Sequence, residues 1–385
     1  MINLMGLRMN TVYLIYTCYY DFNNDKPTIG GVQTYIEGLC TVFNEIGYLC
    51  KIYQTGNKYL QKVIGENVNV YQIDTSNIKD NNKKVQKVTD EISKIYNDNT
   101  DILIFLANEL ICKNNATNSI ALQHGISWDY LYDKPLSKIR TAIHSFIKAK
   151  NSFQIIERLS GVKNLVCVDH NFPNWLRATA IKCDTPCIVI PNFTEIAPIY
   201  KKPEDRVNII FARRFFSYRG TRIFAPAIKN ILSKYSNVFV TIAGTGPDKD
   251  YLKDMLKDYD NRVKFINYSA KESLGVHSKQ HIAVVPTIGS EGTSLSLLEA
   301  MAAQCAVVST DAGGLSNIII DGYNGLYCDR NEEDLETKIA YLVENTQIRE
   351  NIARRAYEVV KEGFSFEKWK KRWIEVINNI TGECK

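Results

Sequence analysis

The run TVYLIYT (11–17) carries no charged position, and after a polar loop the apolar positions change period. Val32, Ile36, Leu39, Phe43 and Ile46 recur at spacings of three and four, the stripe of an amphipathic helix, and Gly47 stands where such a helix stops. The two patterns predict a buried strand followed by a helix. DILIFLA (101–107), SIALQ (119–123) and NLVCV (164–168) supply further strands of the same kind. Between 190 and 208, IPNFTEIAPIYKKPEDRVN holds three prolines, mixed charge and no period, and reads as a linker. The strand pattern restarts with VNIIFA (207–212), VFVTIAG (238–244), RVKFIN (262–267), HIAVVPT (281–287) and CAVVST (305–310). Such alternation predicts parallel sheets covered by helices. We place two α/β halves at residues 1–195 and 196–365, followed by a C-terminal helix within 366–385. Its sequence, SFEKWKKRWIEVINNI (365–380), carries Trp369, Trp373, Val376, Ile377 and Ile380, an apolar face that needs a partner.

Composition adds mainly exclusions. A length of 385 residues suits two domains with a core each, and 45% hydrophobic against 23% charged residues is ordinary for a globular chain. A net charge of only +5, with no RNA-binding motif and no zinc-finger spacing, excludes nucleic acid as the expected partner. The ten cysteines contain no CxxC pair, and no histidine cluster completes a metal site around the closest two, Cys183 and Cys187. Most are expected to be buried, reduced thiols of a cytoplasmic protein. No segment has the form of a secretory signal or reaches the roughly 18 to 20 apolar residues of a membrane span. The expectation is a soluble chain, cytoplasmic and at most peripheral to the inner membrane face.

The chemistry concentrates in HIAVVPT, SEGTSLSLLEAMAAQ and CAVVST, a strand–turn–helix–strand unit. Its turn falls at the carboxyl end of a parallel strand, where open α/β sheets bind ligands. The free N–H groups of Gly292, Thr293, Ser294 and Leu295 open the helix and favour an anion such as phosphate. Gly292 allows close approach, and Thr293 and Ser294 add hydroxyl donors. Glu299 lies about one turn in, where two vicinal ribose hydroxyls would satisfy its carboxylate. The competing reading is a capping box, because Ser296-x-x-Glu299 also fits that pattern. On this helix alone both stay open.

The span from Gly289 to Asp329 resembles the signature of family 4 of the retaining glycosyltransferases. That signature is E-x(7)-E, here Glu291 and Glu299, then a G-G loop, Gly313-Gly314, then D-G-x-N-G, here Asp321 to Gly325. IIFARRFFSYRG (209–220) resembles the family's G-R-L-x-x-x-K-G, with Arg214 at its Arg and Arg219 at its Lys. Gly244, Gly246 and Pro247 resemble its G-x-G-P turn, IGG (29–31) its first glycine loop, QHG (123–125) its acceptor-side His-Gly, and VIPN (189–192) its linker. Departures are QCAVV for G-x-P-V-V and RRF for G-R-L, which leave the choice of donor open.

The resemblance implies a GT-B fold: two Rossmann-like parallel-sheet domains facing a central cleft, the C-terminal helix packing back toward the N-terminal domain. It implies retaining, metal-independent sugar transfer from a nucleotide-diphosphate donor to a hydroxyl acceptor, saccharide or lipid-linked, with no cofactor. Bacterial surface polysaccharide or glycoconjugate synthesis is the implied setting. Glu291 would lie near the donor sugar, Glu299 would bind ribose, and His124 would approach the sugar from the first domain. Arg214, Arg219 and the helix start at Gly292–Leu295 would stabilise the departing diphosphate. Two other classes stay open: a glycosyltransferase-like binding subunit without turnover, and a GT-B sugar-nucleotide epimerase. Intact Glu291, Glu299, Arg214 and Arg219 weigh against the first, and E-x(7)-E against the second.

Several features have plainer readings. Asp248-Lys249-Asp250 forms a D-x-D but sits where acids favour a helix N-terminus. Gly30 and Gly31 follow the first strand and open a helix, so backbone approach to phosphate is expected there. Arg213 is a weaker ligand candidate than Arg214, and His277 and His281 are expected to be structural. Residues 134–163 carry Lys134, Lys138, Arg140, Lys148, Lys150, Arg158 and Lys163 against Glu157, with Leu136, Ile139, Ile143 and Phe146 at helical spacing. That is either a solvated helix face or a basic amphipathic surface for an anionic membrane.

Overall fold

A computed structural model of the chain describes residues 9–126, 137–200, 202–289 and 291–382. Lys134 and Leu136 of the basic segment lie outside the described residues. The first half runs β1 (Thr11–Ile15), a short hairpin of β2 (Tyr20–Asp21) and β3 (Lys26–Pro27), α1 (Gly31–Glu45), β4 (Leu49–Gly56), β5 (Leu60–Gly65), β6 (Val68–Asp74) and α2 (Asn81–Ser93). It continues with β7 (Ile102–Phe105), β8 (Ser119–Gln123), α3 (Lys138–Leu159), β9 (Asn164–Cys167), α4 (Asn171–Ala178) and β10 (Cys187–Val189). Eight of its strands form one sheet in the order β10-β9-β8-β7-β1-β4-β6-β5. β1 is hydrogen-bonded on both sides and all of it is buried, which is why TVYLI carries no charge and is apolar from Val12 onward. β5 departs from the parallel expectation: it lies antiparallel on β6 at the sheet edge, and its alternating half-exposed residues gave no apolar run to read.

The second half holds β11 (Val207–Ala212), α5 (Thr221–Lys234), β12 (Val238–Ala243), α6 (Lys249–Leu256), β13 (Val263–Ile266) and α7 (Ser273–His277). Then come β14 (Ile282–Val285), α8 (Leu295–Ala302), β15 (Ala306–Ser309), β16 (Leu326–Tyr327), α9 (Glu332–Glu344) and α10 (Thr346–Gly363). Its sheet is parallel throughout, in the order β13-β12-β11-β14-β15-β16.

The last helix, α11 (Phe366–Thr381), returns to the first half, as the resemblance implied. Trp369, Trp373, Val376 and Ile377 join the core built by α1 and β1. Trp373 Nε1 donates to Tyr35 Oη at 3.0 Å, and the Trp369 ring lies 4.4 Å from that of Phe193. The chain therefore crosses between the halves twice, and the crossings are tied together. Thr194 N–H donates to Phe364 O at 3.0 Å, and Phe366 N–H donates to Thr194 O at 3.2 Å. Among the described residues no helix is long and apolar enough to cross a membrane.

Candidate functional site

The turn between β14 and α8 is gripped from two sides. Gly314 N–H donates to Glu291 O at 2.9 Å. A Cβ on Gly313, whose φ is +53°, would fall 2.2 Å from Glu291 O, and one on Gly314 would fall 2.4 Å from Gly292 C. Only glycine permits that approach. From the other side comes the first half. A Cβ on Gly292 would lie 2.6 Å from His124 O, and one on Gly125 would lie 3.1 Å from Gly292 N. A Cβ on Gly31 would meet Leu295 Cδ1 at 3.4 Å, so the start of α1 faces the start of α8. Neither start has a side-chain cap. Two sets of free amides and two positive dipole ends thus border one cleft, an arrangement that favours an anion.

Charge beside the turn is organised around Glu291. Its Oε2 accepts from Arg213 Nη2, from Arg219 Nη1 and, at 3.2 Å, from Thr287 Oγ1. Burial opposes ionisation of Glu291, but the two guanidiniums outweigh it and hold the carboxyl below its ordinary range. Arg213 also donates from Nη1 to Ser294 Oγ at 2.9 Å and Ser296 Oγ at 2.6 Å, and from Nη2 to Thr287 Oγ1 at 2.7 Å. Arg214, favoured over Arg213 on sequence, does not join this cluster: it is exposed, with its guanidinium 5.7 Å from the Phe216 ring centre. Successive side chains leaving a strand point to opposite faces, so only one of the pair turns inward. Arg214 looks across the cleft, where its charge partly offsets the burial that raises the Tyr16 phenol.

Glu299 is not the second member of a capping box. Ser294, not Ser296, stands at the N-cap position of α8, without a side-chain cap bond, and the Ser296 hydroxyl accepts from Arg213. Glu299 Oε2 instead accepts from Ser273 Oγ at 2.6 Å, and burial pushes its carboxyl up to about 7 despite that bond and the charge of Arg213. The hydroxyls expected to serve phosphate are also engaged. Thr293 Oγ1 donates to Val168 O, Asn192 Nδ2 donates to Thr293 O at 2.6 Å, and Ser294 Oγ receives Arg213. Thr293 joins the two halves, which leaves backbone amides as the anion donors of this turn.

His124 reaches the cleft through its backbone more than its ring. Nε2 lies 3.0 Å from Leu106 O, the ring meets Tyr35 edge-on, and burial lowers its pKa to about 4. The imidazole is neutral near pH 7. Gly30 caps α1 in an extended conformation, φ 171°, which does not itself require glycine. Gly244 (φ +138°) and Gly246 (φ +152°) do have a steric reason: a Cβ there would strike Arg213 O at 2.1 Å and Phe215 O at 2.4 Å. They seat the strand end that aims Arg213. The Asp248 carboxylate is taken by Thr221 Oγ1 and, at 2.6 Å, by Arg222 Nη2. His281 accepts from Asn208 N–H on Nδ1 and contacts Pro203 O through Nε2, and buried His277 contacts Ser273 O. Thr287 and Ser273 were missed, because only folding brings them to the glutamates.

Residues 192–359 match the family described as "Glycosyl transferases group 1". An uncharacterized glycosyltransferase of Methanocaldococcus jannaschii is 24% identical over 262 residues, covering 65% of this chain and 62% of its own length. The chain thus spans under two thirds of that relative. The N,N'-diacetylbacillosaminyl-diphospho-undecaprenol alpha-1,3-N-acetylgalactosaminyltransferase of Campylobacter jejuni is 24% identical over 268 residues, 63% of this chain and 66% of its own. Anabaena HepE, solved in complex with UDP and glucose, superposes with a TM-score of 0.69 over 96% of this chain and 100% of its own, at 14% identity. That likeness establishes the fold as two Rossmann-like parallel-sheet domains of the GT-B kind.

Proposed function

We propose that this chain is a retaining glycosyltransferase, moving a sugar from a nucleoside-diphosphate donor to a hydroxyl acceptor without a metal. The observation that carries the reading is the cleft in which the uncapped start of α8, with the Glu291–Arg219 pair in the turn before it, faces the start of α1. The bond from the anomeric carbon to the leaving phosphate oxygen breaks, the acceptor oxygen bonds to that carbon on the same face, and its proton passes to the departing diphosphate. Arg214, Arg219 and the helix amides stabilise the charge that develops. Glu299 binds the ribose, Glu291 the donor sugar, and neutral His124 borders the sugar from the first half. A thermal-shift panel of UDP, GDP, CDP, TDP and their sugars tests the donor, since ligand at 100 times its dissociation constant adds about 2.7 kcal/mol. Donor hydrolysis should continue in EDTA. A protein inert in chelator and rescued by manganese overturns the metal-free mechanism, and one that binds no nucleotide overturns the reading.

For the acceptor we infer a saccharide or lipid-linked hydroxyl, in bacterial surface polysaccharide or glycoconjugate synthesis at the inner membrane face. The named acceptor of the Campylobacter jejuni relative is a diphospho-undecaprenol lipid. Peripheral contact with an anionic membrane is assigned to α3. Its buried residues, Ser152, Ile155, Ile156 and Leu159, all belong to its C-terminal part. Ile139 is 75% exposed and Phe146 73%, and with Ile143 and Phe153 they form one stripe at spacings of four, three and seven. Lys138 and Arg140 flank the stripe and Lys150 lies within it, which suits acyl chains beneath anionic headgroups.

A further inference from the structure

We infer that Arg213 is a fixed counter-ion for Glu291, and that it leaves Arg219 available to the diphosphate of the donor. The inference rests on the donor reading above. Arg213 stands where the glycosyltransferase motif that this stretch resembles has glycine, so the device belongs to this chain's own sequence. Its side chain is only 6% exposed, and its guanidinium spans Thr287 after β14, Glu291 in the turn, and Ser294 and Ser296 at the start of α8. Releasing it means breaking contacts with three segments at once. Arg219 is placed differently. It sits in the short turn Ser217–Arg219, is more exposed than Arg213, and lies 5.1 Å from the Tyr218 ring centre while pairing with the same Glu291 oxygen.

One carboxylate thus faces two guanidiniums, and the cluster carries a net positive charge. With Arg219 alone, the pair would cancel, and a diphosphate could recruit Arg219 only by stranding a buried, unpaired Glu291. Stranding a buried charge is strongly destabilising. With Arg213 in place, Glu291 stays compensated when Arg219 turns to the phosphates. Arg213 acts here as a positioning residue, through Glu291.

The test uses the full chain, with titrations of UDP and GDP set beside uridine and guanosine. Arg213→Met should weaken diphosphate binding by about tenfold or more, the scale of a lost charge-assisted bond, and leave nucleoside binding unchanged. Adding Glu291→Gln should restore diphosphate affinity, because Arg219 no longer has a carboxylate to abandon. Lowering the pH should partly do the same in the single variant by protonating Glu291. Arg213→Gln removes the charge and keeps a polar amide on a shorter side chain, so it carries the same expectations should the methionine variant fail to fold. Equal diphosphate affinity in wild type and Arg213→Gln overturns the inference alone. So does a loss shared by nucleosides and not rescued by Glu291→Gln. A wild type that binds no nucleoside diphosphate overturns the donor reading and this inference with it.

Discussion

At the scale of single residues, the two glutamates of one helix start are held in opposite protonation regimes. Glu291 is kept ionised by arginines, whereas Glu299 has its carboxyl raised from 4.5 to about 7, chiefly by burial. A folded-state pKa above the unfolded value means that stability is present at low pH and lost as pH rises from 4.5 to about 7. Glu299→Gln should therefore stabilise the unliganded protein at pH 8, by up to about 3 kcal/mol, with the gain shrinking toward pH 4.5. The same variant should weaken nucleotide binding at pH 8. Melting curves at both pH values and a nucleotide titration check this, and an unchanged affinity would remove Glu299 from the donor site. Arg219→Ala should lower turnover by about a hundredfold or more, as expected when a group that stabilises a leaving diphosphate is lost. Arg214→Ala tests whether the exposed arginine shares that work: single-turnover rates equal to wild type would leave it outside the chemistry. The turn and helix that carry the two glutamates were legible because they are contiguous along the chain. The choice between Arg213 and Arg214 was not, because a strand end shows two adjacent arginines and hides which one faces inward.

At the scale of elements, the glycine loop and α3 make opposite demands. Gly313 and Gly314 must stay bare, since any Cβ at Gly313 meets Glu291 O and its φ of +53° already disfavours other residues. Gly313→Val should destabilise the second half by about 1 to 3 kcal/mol and impair nucleotide binding together with it, both readable by thermal shift. In α3 the test is electrostatic. Binding to anionic vesicles should weaken steeply with salt, because the Debye length falls from about 10 Å at 0.1 M to about 3 Å at 1 M. Replacing Lys138, Arg140, Lys148 and Lys150 with Gln should abolish sedimentation with vesicles and preserve hydrolysis of free donor. A wild type that ignores anionic vesicles at low salt returns α3 to an ordinary solvated helix. The central strands of both sheets and the helices α1 and α11 were legible from period alone. β4 to β6 were not, because their polar positions dilute the apolar pattern at that end of the sheet.

At the scale of the molecule, the alternation of strands and helices announced two sheets, and the aromatic face of α11 announced that something had to cover it. What covers it was readable only through resemblance, since nothing local in SFEKWKKRWIEVINNI points to α1. Trp373→Ala should cost about 3 to 5 kcal/mol, the usual loss for a large buried aromatic, and should unfold the first half at lower temperature than the second. Two separated calorimetric transitions in the variant would show this; one unshifted transition would deny α11 its place in that core. The helix has a further consequence for how the molecule is made. Translation delivers domains from the N-terminus onward, and each generally folds as a unit as it emerges. Here the first half leaves the ribosome without the tryptophans that close its core, and it must wait while the whole of the second half is synthesised. The part of the chain made first is the part finished last, and until α11 arrives the apolar side of α1 is open to chaperones or to the same face of another nascent chain.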